Sequence, residues 1–253
     1  MTGPPCKIHS RNQRDEGMNI ITDVPGKAPR VALLSSTRAV FSPMEAAFQD
    51  EFPKAQAIHL LDETLLDDFR QEGGLSPRSR CKALQMTMVA QDAGVDGILV
   101  TCSTLSPAVD DFAPFVTIPI IKIDEPVVEW VVQSAKSIAL LATADSVLKS
   151  VEPLVLGKAR QLNREISIRR FIKGDIWPLL QQDPSAFYRA VGEAATQAAE
   201  VCQAVIITQV SMAPGWEYVK ANKRDKVYAS PVYAVRAIRS ILKKRDDFLP
   251  ILA

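Results

Sequence analysis

The 253-residue chain is long enough for one large domain or two small ones. Its 30 basic and 29 acidic residues leave a net charge of +1, which provides no charged field for binding nucleic acid or a membrane surface. Apolar runs such as residues 116–121 and 203–208 are too short to span a bilayer, and two histidines are too few for a typical histidine-based metal site. We therefore expect a globular protein with no nucleic acid, membrane or metal as partner.

The first 29 residues are polar and contain almost no apolar run. They lack the hydrophobic segment of a secretory signal, and Asp15, Glu16 and Asp23 are untypical of an acid-poor mitochondrial presequence. We interpret residues 1–29 as a flexible N-terminal extension of a cytoplasmic protein. Reduced thiols are the default there, and no CxxC pair occurs among the four cysteines, Cys6, Cys81, Cys102 and Cys202.

Strands and helices alternate from residue 31 onward. Short apolar runs predict buried strands over residues 31–35, 57–61, 97–101 and 118–123. Helical spacing predicts helices over residues 44–52 and 77–93, and a further helix opened by Ser106 and Pro107. Ser76 is the expected N-cap of the helix over residues 77–93, and Gly94 closes it. This alternation indicates a parallel sheet covered by helices.

The strand pattern then restarts. Residues 138–142 repeat residues 31–35 at an offset of 107, and residues 206–212 repeat residues 98–104 at an offset of 108. Two matches at nearly equal offsets favour a duplication, although the regular strand spacing of any α/β protein also produces such matches. A last helix over residues 231–244 is expected to pack back on the first half.

The predicted fold is therefore α/β, with two pseudo-symmetric parallel-sheet domains of the flavodoxin-like or Rossmann-like type. We expect the first domain to comprise residues 30–128 together with 230–253, and the second to comprise residues 129–229. Ligands of such folds bind at the carboxyl ends of the strands, so we expect the active site in the cleft between the domains.

Cys102 directly follows the strand over residues 97–101 and precedes the helix that Pro107 opens. Loop amides of Ser103 and Thr104 and a helix N-terminus stabilise negative charge, which lowers a thiol pKa and keeps some thiolate at neutral pH. A small packing residue at a strand end fits the same position equally well. Cys81 and Cys202 fall within helical patterns and are expected to pack in the core, so Cys102 should alkylate fastest of these three.

The loop sequence GILVTCSTLSP resembles the first-half cysteine loop of the aspartate/glutamate/hydantoin racemase superfamily. Other stretches similar to that superfamily are HLLDETLLDDF (59–69), IPIIKIDEP (118–126), IALLAT (138–143), IITQVSM (206–212) and ASPVYAVRAI (229–238). Their order and spacing extend the resemblance over residues 31 to about 240. It implies two pseudo-symmetric α/β domains, a small carboxylate as substrate and a homodimer.

The resemblance also implies proton transfer at the carbon next to a carboxylate, without a metal or an organic cofactor. In two-cysteine members, one thiolate removes the α-proton and a thiol across the cleft returns a proton. Cys102 occupies the first cysteine position. At an offset of 108 the second position falls on Val210, which cannot carry a proton. Neither a GxGxxG motif after a strand nor a GxxxxGK[ST] loop occurs in the sequence, so we expect no nucleotide cofactor.

Hydroxyl and amide side chains near the strand ends are candidates for binding the carboxylate. The superfamily places substrate donors after the first strand of each half, where this chain has Ser36, Thr37, Thr143 and Ser146. Ordinary turn and cap roles suit the same four residues. The two cysteine-position loops add Ser103, Thr104, Gln209, Val210 and Ser211. Charged residues that follow strands are expected to be solvated and are left outside the site: Asp62, Glu63, Asp124 and Glu125.

The missing second cysteine leaves three functions open. The first is a racemase or epimerase in which water, Ser211 or the substrate itself serves the second face. The second is a one-thiol decarboxylase, C–C lyase or cis–trans isomerase. A relative, arylmalonate decarboxylase, works with a single cysteine in the second-half position, and another, maleate isomerase, uses its first-half cysteine as a nucleophile on an alkene. The third is a catalytically degenerate protein that only binds a carboxylate.

Overall fold

A computed structural model describes residues 28–248 of the chain, without the side chains of residues 245–248. Most of the predicted N-terminal extension, including Cys6, lies outside the described residues. Strands and helices alternate along the described part of the chain. None of the described helices is long and apolar enough to cross a membrane.

Residues 30–134 contain four strands and five α-helices. The strands are β1 (Arg30–Ser35), β2 (Gln56–Leu61), β3 (Gly97–Val100) and β4 (Ile120–Lys122). The helices are α1 (Phe41–Glu51), α2 (Thr64–Glu72), α3 (Pro77–Asp92), α4 (Val109–Phe112) and α5 (Glu125–Ser134). Each predicted strand of this half is present, with ends that differ by one or two residues.

Residues 137–248 contain four further strands and four α-helices. The strands are β5 (Ser137–Ala142), β6 (Ser167–Ile172), β7 (Ala204–Ile207) and β8 (Val227–Ala229). The helices are α6 (Asp145–Gln161), α7 (Leu179–Gln182), α8 (Pro184–Val201) and α9 (Ser230–Phe248). The helix predicted over residues 231–244 corresponds to α9.

The eight strands form two four-stranded parallel sheets with the same strand order. The first sheet is ordered β2-β1-β3-β4 and the second β6-β5-β7-β8, and every neighbouring pair is parallel. Parallel strands need crossover connections, and the helices between them cover both faces of each sheet. The predicted α/β fold of two similar parallel-sheet halves is therefore confirmed.

The strand pairing fixes how the two halves correspond. Val31 pairs with Gly97 in the first sheet, and Ile138 pairs with Ala204 in the second, so β1 and β3 are both repeated at an offset of 107. The offset of 108 predicted for the second match was therefore wrong by one residue. The apolar pattern alone does not fix how the two halves align, because several neighbouring residues in a buried strand are of the same apolar type. The position equivalent to Cys102 is consequently Gln209 and not Val210.

Within the repeated stretch over residues 206–212, only the first two residues belong to a strand, since β7 ends at Ile207. Residues Val210–Tyr218 form a 3₁₀ helix, in which Pro214 lies. Val210 and Met212 are apolar because this helix packs inward: Val210 is 2% exposed in one hydrophobic cluster, and Met212 is fully buried in another. A run of apolar residues in a short window does not distinguish these two kinds of burial.

The C-terminal helix α9 completes the core of the first half. Val235 and Ile238 of α9 lie in one buried cluster with Val31 and Leu33 of β1. Gly97 allows the close approach, since a Cβ added there would lie 2.8 Å from Ile238 Cδ1. The expected packing of the last helix on the first half is therefore present.

The two further cysteines within the described residues differ in exposure. Cys202 follows α8 and is buried in the core of the second half, as expected. Cys81 lies on α3 and is exposed, so the expectation that it packs in the core was wrong. Helical spacing places Cys81 on α3 but does not fix which face of that helix meets the sheet.

Candidate active site

The same hydrogen-bond pattern occurs directly after β3 in the first sheet and after β7 in the second. The backbone N–H of Thr101 donates to the carbonyl of Leu34 at 3.0 Å, and the Thr101 hydroxyl donates to the same oxygen at 3.0 Å. Thr208 repeats both bonds with the carbonyl of Leu141, at 3.1 and 2.9 Å. Each threonine therefore closes its strand, and the next residue is the first one free to face the cleft. That residue is Cys102 in one half and Gln209 in the other.

A cavity of about 460 Å³ lies between the strand ends of the two halves. This volume is in the range of small-molecule sites. Hydrogen bonding also connects the halves here, since the Ser103 hydroxyl donates to the carbonyl of Thr208 at 2.7 Å. All ten residues predicted for the site line this cavity: Ser36, Thr37, Cys102, Ser103, Thr104, Thr143, Ser146, Gln209, Val210 and Ser211.

The thiol of Cys102 is partly buried and receives a hydrogen bond. Ser36 Oγ donates to Cys102 Sγ at 3.2 Å. Burial raises the pKa of the Cys102 thiol, and the nearby charge of Asp124 raises it further. The bond from Ser36 and the backbone amides of Leu105 and Thr104 lower this pKa, but by less. The expectation of a lowered pKa was therefore wrong, because loss of hydration outweighs the donors that stabilise a thiolate.

The same pKa result reverses the expected order of alkylation. Thiolate is the form that alkylates, and the raised pKa makes it scarce at Cys102 near neutral pH. Cys81 is exposed to reagent while Cys102 is partly buried. We now expect Cys81 to react before Cys102.

Gln209 repeats the Ser36–Cys102 contact on the other side of the cavity. Thr143, the counterpart of Ser36 at the offset of 107, donates to Gln209 Oε1 through its backbone N–H at 2.6 Å and its hydroxyl at 2.9 Å. The backbone N–H is an obligatory donor, so the amide oxygen must face Thr143. Among the described residues, Gln209 Nε2 makes no hydrogen bond. Both of its N–H groups are thus available to a ligand in the cavity.

The hydroxyls around the cavity fall into two groups. Those of Ser36, Ser103 and Thr143 donate to other protein atoms and therefore support the site. Within the described part of the chain, the hydroxyls of Thr104, Ser146 and Ser211 make no hydrogen bond with protein, although they line the cavity. The hydroxyl of Thr37 accepts a bond from the Ala39 N–H and keeps its own proton free to donate. These four hydroxyls are the ones whose protons are free to donate to a ligand.

Asp124 is a buried carboxyl beside this site and was wrongly expected to be solvated. It is 1% exposed, and Ser230 Oγ donates to its Oδ1 at 2.5 Å. Burial raises the pKa of Asp124 to about 6, and the hydrogen bond from Ser230 acts in the opposite direction. Its Oδ2 is buried without a partner among the described residues. By contrast, Glu63 pairs on the surface with Arg38 at 2.6 Å, as expected for a solvated charge.

Sequence reasoning missed the part of the cavity lining that comes from α2 and from the segment after β6. α2 contributes Leu66, Phe69 and Arg70, and the segment after β6 contributes Trp177. These residues lie far from the cysteine loop in the sequence, and α2 carried no predicted helix. The amphipathic spacing of Leu65, Leu66 and Phe69 was the signal available for that helix.

No group of three or more histidine, cysteine, aspartate or glutamate side chains that could hold a metal ion occurs within residues 28–248. The donors that follow the strand ends are hydroxyls, one carboxamide and one thiol, and Arg70, Lys149 and Trp177 also line the cavity. This set suits hydrogen bonding to a carboxylate.

The fold and the cavity together define an α/β protein of two similar halves, with the Cys102 thiol at a cavity that both halves line. The chain belongs to the Asp/Glu/Hydantoin racemase family, whose sequence model matches residues 33–238. This result confirms the resemblance found in the sequence. No curated protein matches the chain significantly.

Solved structures of racemases share this fold. A glutamate racemase isoform from Bacillus anthracis aligns with a TM-score of 0.66 at 13% identity, covering 87% of this chain and 83% of its own. An allantoin racemase from Klebsiella pneumoniae aligns with a TM-score of 0.65 at 15% identity, covering 86% of this chain and 89% of its own. An aspartate racemase from Picrophilus torridus aligns with a TM-score of 0.63 at 13% identity, covering 85% of this chain and 94% of its own. Identities this low establish the shared fold and leave the substrate undetermined.

Proposed function

We propose that this protein is a cofactor-independent isomerase of the racemase or epimerase type, which moves a proton at the carbon next to a carboxylate. The observation that supports this function is the Cys102 thiol in a cavity whose other wall presents hydrogen-bond donors from the second half. Membership of a racemase family supports the reaction class.

Cys102 is proposed as the group that removes and returns the α-proton. The α-proton of a carboxylic acid is weakly acidic, so a more basic thiolate removes it faster. The raised pKa of Cys102 makes its thiolate scarcer but more basic. Ser36 and the amides of Thr104 and Leu105 then stabilise the thiolate once it has formed.

Gln209 is proposed as a stationary donor rather than a second acid. A carboxamide does not exchange protons at neutral pH as a thiol does, so it cannot replace a catalytic cysteine. With its oxygen held by Thr143, its Nε2 can donate to the enediolate oxygen that gains charge when the α-proton leaves. A fixed donor of this kind stabilises the transition state without reorganising.

One thiol facing one amide makes the proposed site asymmetric. Cys102 returns protons to one face of the planar intermediate, whereas the other face meets only water and hydroxyls such as that of Ser211. Hydroxyls are far weaker acids than thiols. Exchange of the α-proton with solvent should therefore be faster than inversion of configuration.

The test is to incubate single enantiomers of candidate amino and hydroxy acids in D₂O and follow α-deuteration and chirality together. Wild type should deuterate a substrate faster than it inverts it. Cys102→Ala should lose at least 90% of the deuteration rate, a loss of about 1.4 kcal/mol or more in transition-state stabilisation, while the matched control Cys81→Ala keeps it. Full activity in Cys102→Ala, or product formation by CO₂ loss without α-exchange, would refute the proposal.

Gln209→Cys tests the asymmetry directly. A second thiol would give the other face an acid, so the ratio of inversion to exchange should rise at least severalfold. Gln203→Cys is the matched control, because the Gln203 Oε1 also accepts from a backbone N–H, that of Lys136, but the residue does not line the cavity. An unchanged ratio in Gln209→Cys would contradict the role assigned to this position.

A further inference from the structure

The two walls of the cavity differ in polarity. The strand-end wall carries the thiol, the Gln209 carboxamide and the hydroxyls. A second part of the lining, the apolar wall, consists of Leu66 and Phe69 of α2 from one half and Trp177 from the other. Phe69 is 6% exposed, so this wall is part of a packed core and not a loose surface. A ligand that fills the cavity must present a polar end to one wall and an apolar end to the other.

The positive charges around the cavity lie at its rim. Two cationic side chains line it, Arg70 and Lys149, and their side chains are 63% and 61% exposed. Each already has a carboxylate partner, Asp67 at 3.3 Å for Arg70 and Asp145 at 3.1 Å for Lys149. Both charges are therefore solvent-exposed and already compensated, so an anionic group against the apolar wall would gain only a screened attraction from them.

A dicarboxylic substrate would bind weakly in this cavity. One carboxylate can bind the strand-end wall through neutral donors such as Gln209 Nε2 and the Ser211 hydroxyl. The second would lose its hydration against Leu66, Phe69 and Trp177 without a buried cation in return, which is unfavourable. An aromatic or branched apolar group at the same place would gain free energy from leaving water.

We infer that the substrate is a monocarboxylate that carries a bulky apolar substituent on its reacting carbon. This inference rests on the proposed function, because it assigns the two ends of a ligand around the Cys102 thiol. The carboxylate lies on the strand-end wall beside Gln209, and the apolar substituent lies between Phe69 and Trp177. The reacting carbon is then held between them, where Cys102 faces the cavity.

Binding of two unreactive probes tests the inference without any turnover. Phenylacetate and succinate are titrated against the full-length protein, and the Kd of each is measured by thermal shift and calorimetry. Phenylacetate should bind at least 10-fold more tightly than succinate. Trp177→Ala should weaken phenylacetate binding at least 10-fold, while Trp130→Ala should leave it unchanged, since Trp130 is 56% exposed and does not line the cavity. Equal or tighter binding of succinate, or no phenylacetate binding at millimolar concentration, overturns the inference.

Turnover separates this inference from the proposed function. In D₂O, phenylalanine or leucine should acquire α-deuterium at least 10-fold faster than aspartate or glutamate, and only with Cys102 present. If aspartate or glutamate exchanges faster in a Cys102-dependent reaction, the proposed function stands and the apolar substrate class is wrong. If phenylacetate binds as expected but no acid exchanges, the substrate class stands and the proposed isomerase is wrong.

Discussion

At the scale of single residues, Cys102 is subject to opposing influences on its charge. Burial raises the pKa of its thiol, and the Ser36 hydroxyl with two backbone amides opposes that rise. Because thiolate is the base in the proposed reaction, kcat/KM for deuteration should still be increasing as the pH passes the ordinary cysteine pKa of about 8.5. Initial rates measured between about pH 6 and pH 10 give this profile. A plateau already reached at about pH 7 would show an ionised thiol and contradict the raised pKa.

Alkylation followed by peptide mass mapping reports the same property independently of the substrate. Near neutral pH iodoacetamide should label exposed Cys81 before Cys102, and the rate at Cys102 should rise steeply with pH. Faster labelling of Cys102 than of Cys81 at neutral pH would contradict both the burial and the pKa direction.

Asp124 should make the stability of the protein depend on pH. Its native pKa of about 6 lies above the usual unfolded value of about 3.9, so between these values the native state binds more protons than the unfolded state. Stability from this group is present below about pH 4 and is lost as the pH rises through about 6. Relative to Asp124→Asn, the wild type should lose roughly 3 kcal/mol of unfolding free energy between about pH 4 and pH 7.

Urea unfolding of both proteins across this pH range provides the measurement. Asp92→Asn is the control, since Asp92 is exposed on α3 and its substitution should leave the pH dependence unchanged. Parallel stability curves for wild type and Asp124→Asn would mean that Asp124 remains charged at acidic pH.

Residue types at the site were largely predictable, but their exact correspondence was not. The ten predicted residues all line the cavity because strand ends of a parallel sheet meet at one edge, a rule that needs only strand positions. The equivalence of Cys102 with Gln209 required the register of the hydrogen-bond ladder. Buried Asp124 accepts a hydrogen bond from Ser230, a residue 106 positions away that no local pattern connects to it.

At the scale of elements, the sequence was most informative where one residue type has a specific backbone role. Ser76 accepts a bond from the Ser79 N–H at 3.3 Å, and Ser79 Oγ accepts from the Ser76 N–H at 2.8 Å, so the predicted cap of α3 is a reciprocal one. Gly94, beyond the end of α3, has a φ of +67°, a conformation that favours glycine. The boundary of β7 was less predictable, since Val210 and Met212 are buried by packing of a 3₁₀ helix.

Ser76→Ala should weaken the start of α3. The substitution removes one of the few acceptors for the first N–H groups of the helix. Loss of such a cap typically lowers the free energy of unfolding by about 1 kcal/mol. Chemical unfolding measures the loss. Ser150→Ala is the matched control within α6, where the hydroxyl bonds the carbonyl of Ser146 one turn earlier, and the change there should stay within about 0.5 kcal/mol. A cap variant as stable as wild type would mean that water replaces the Ser76 hydroxyl without loss.

At the scale of the whole molecule, the chain crosses between its halves more than once. We propose the division into residues 30–128 with 230–253 and residues 129–229 as two domains. α5 spans the proposed boundary, and its buried Val127 and Val131 pack with Ile138 of β5. α9 returns to the first sheet, and the Ser103–Thr208 bond joins the strand-end loops. Cys102 and Gln209 are thus held at one cavity by elements from both ends of the chain.

The position of α9 has a consequence for how the protein forms during synthesis. Leu33 and Val235 share one core although about 200 residues separate them, so α1 alone covers this face of β1 until nearly the whole chain has left the ribosome. The strands and covering helices of the second sheet, from α5 to β8, are contiguous in sequence and can associate earlier. In pulse-labelled hydrogen exchange during refolding, amides of β5 and β7 should gain protection before those of β1 and β3. The half that supplies the thiol would then be the last to acquire its structure, after the half that supplies the amide.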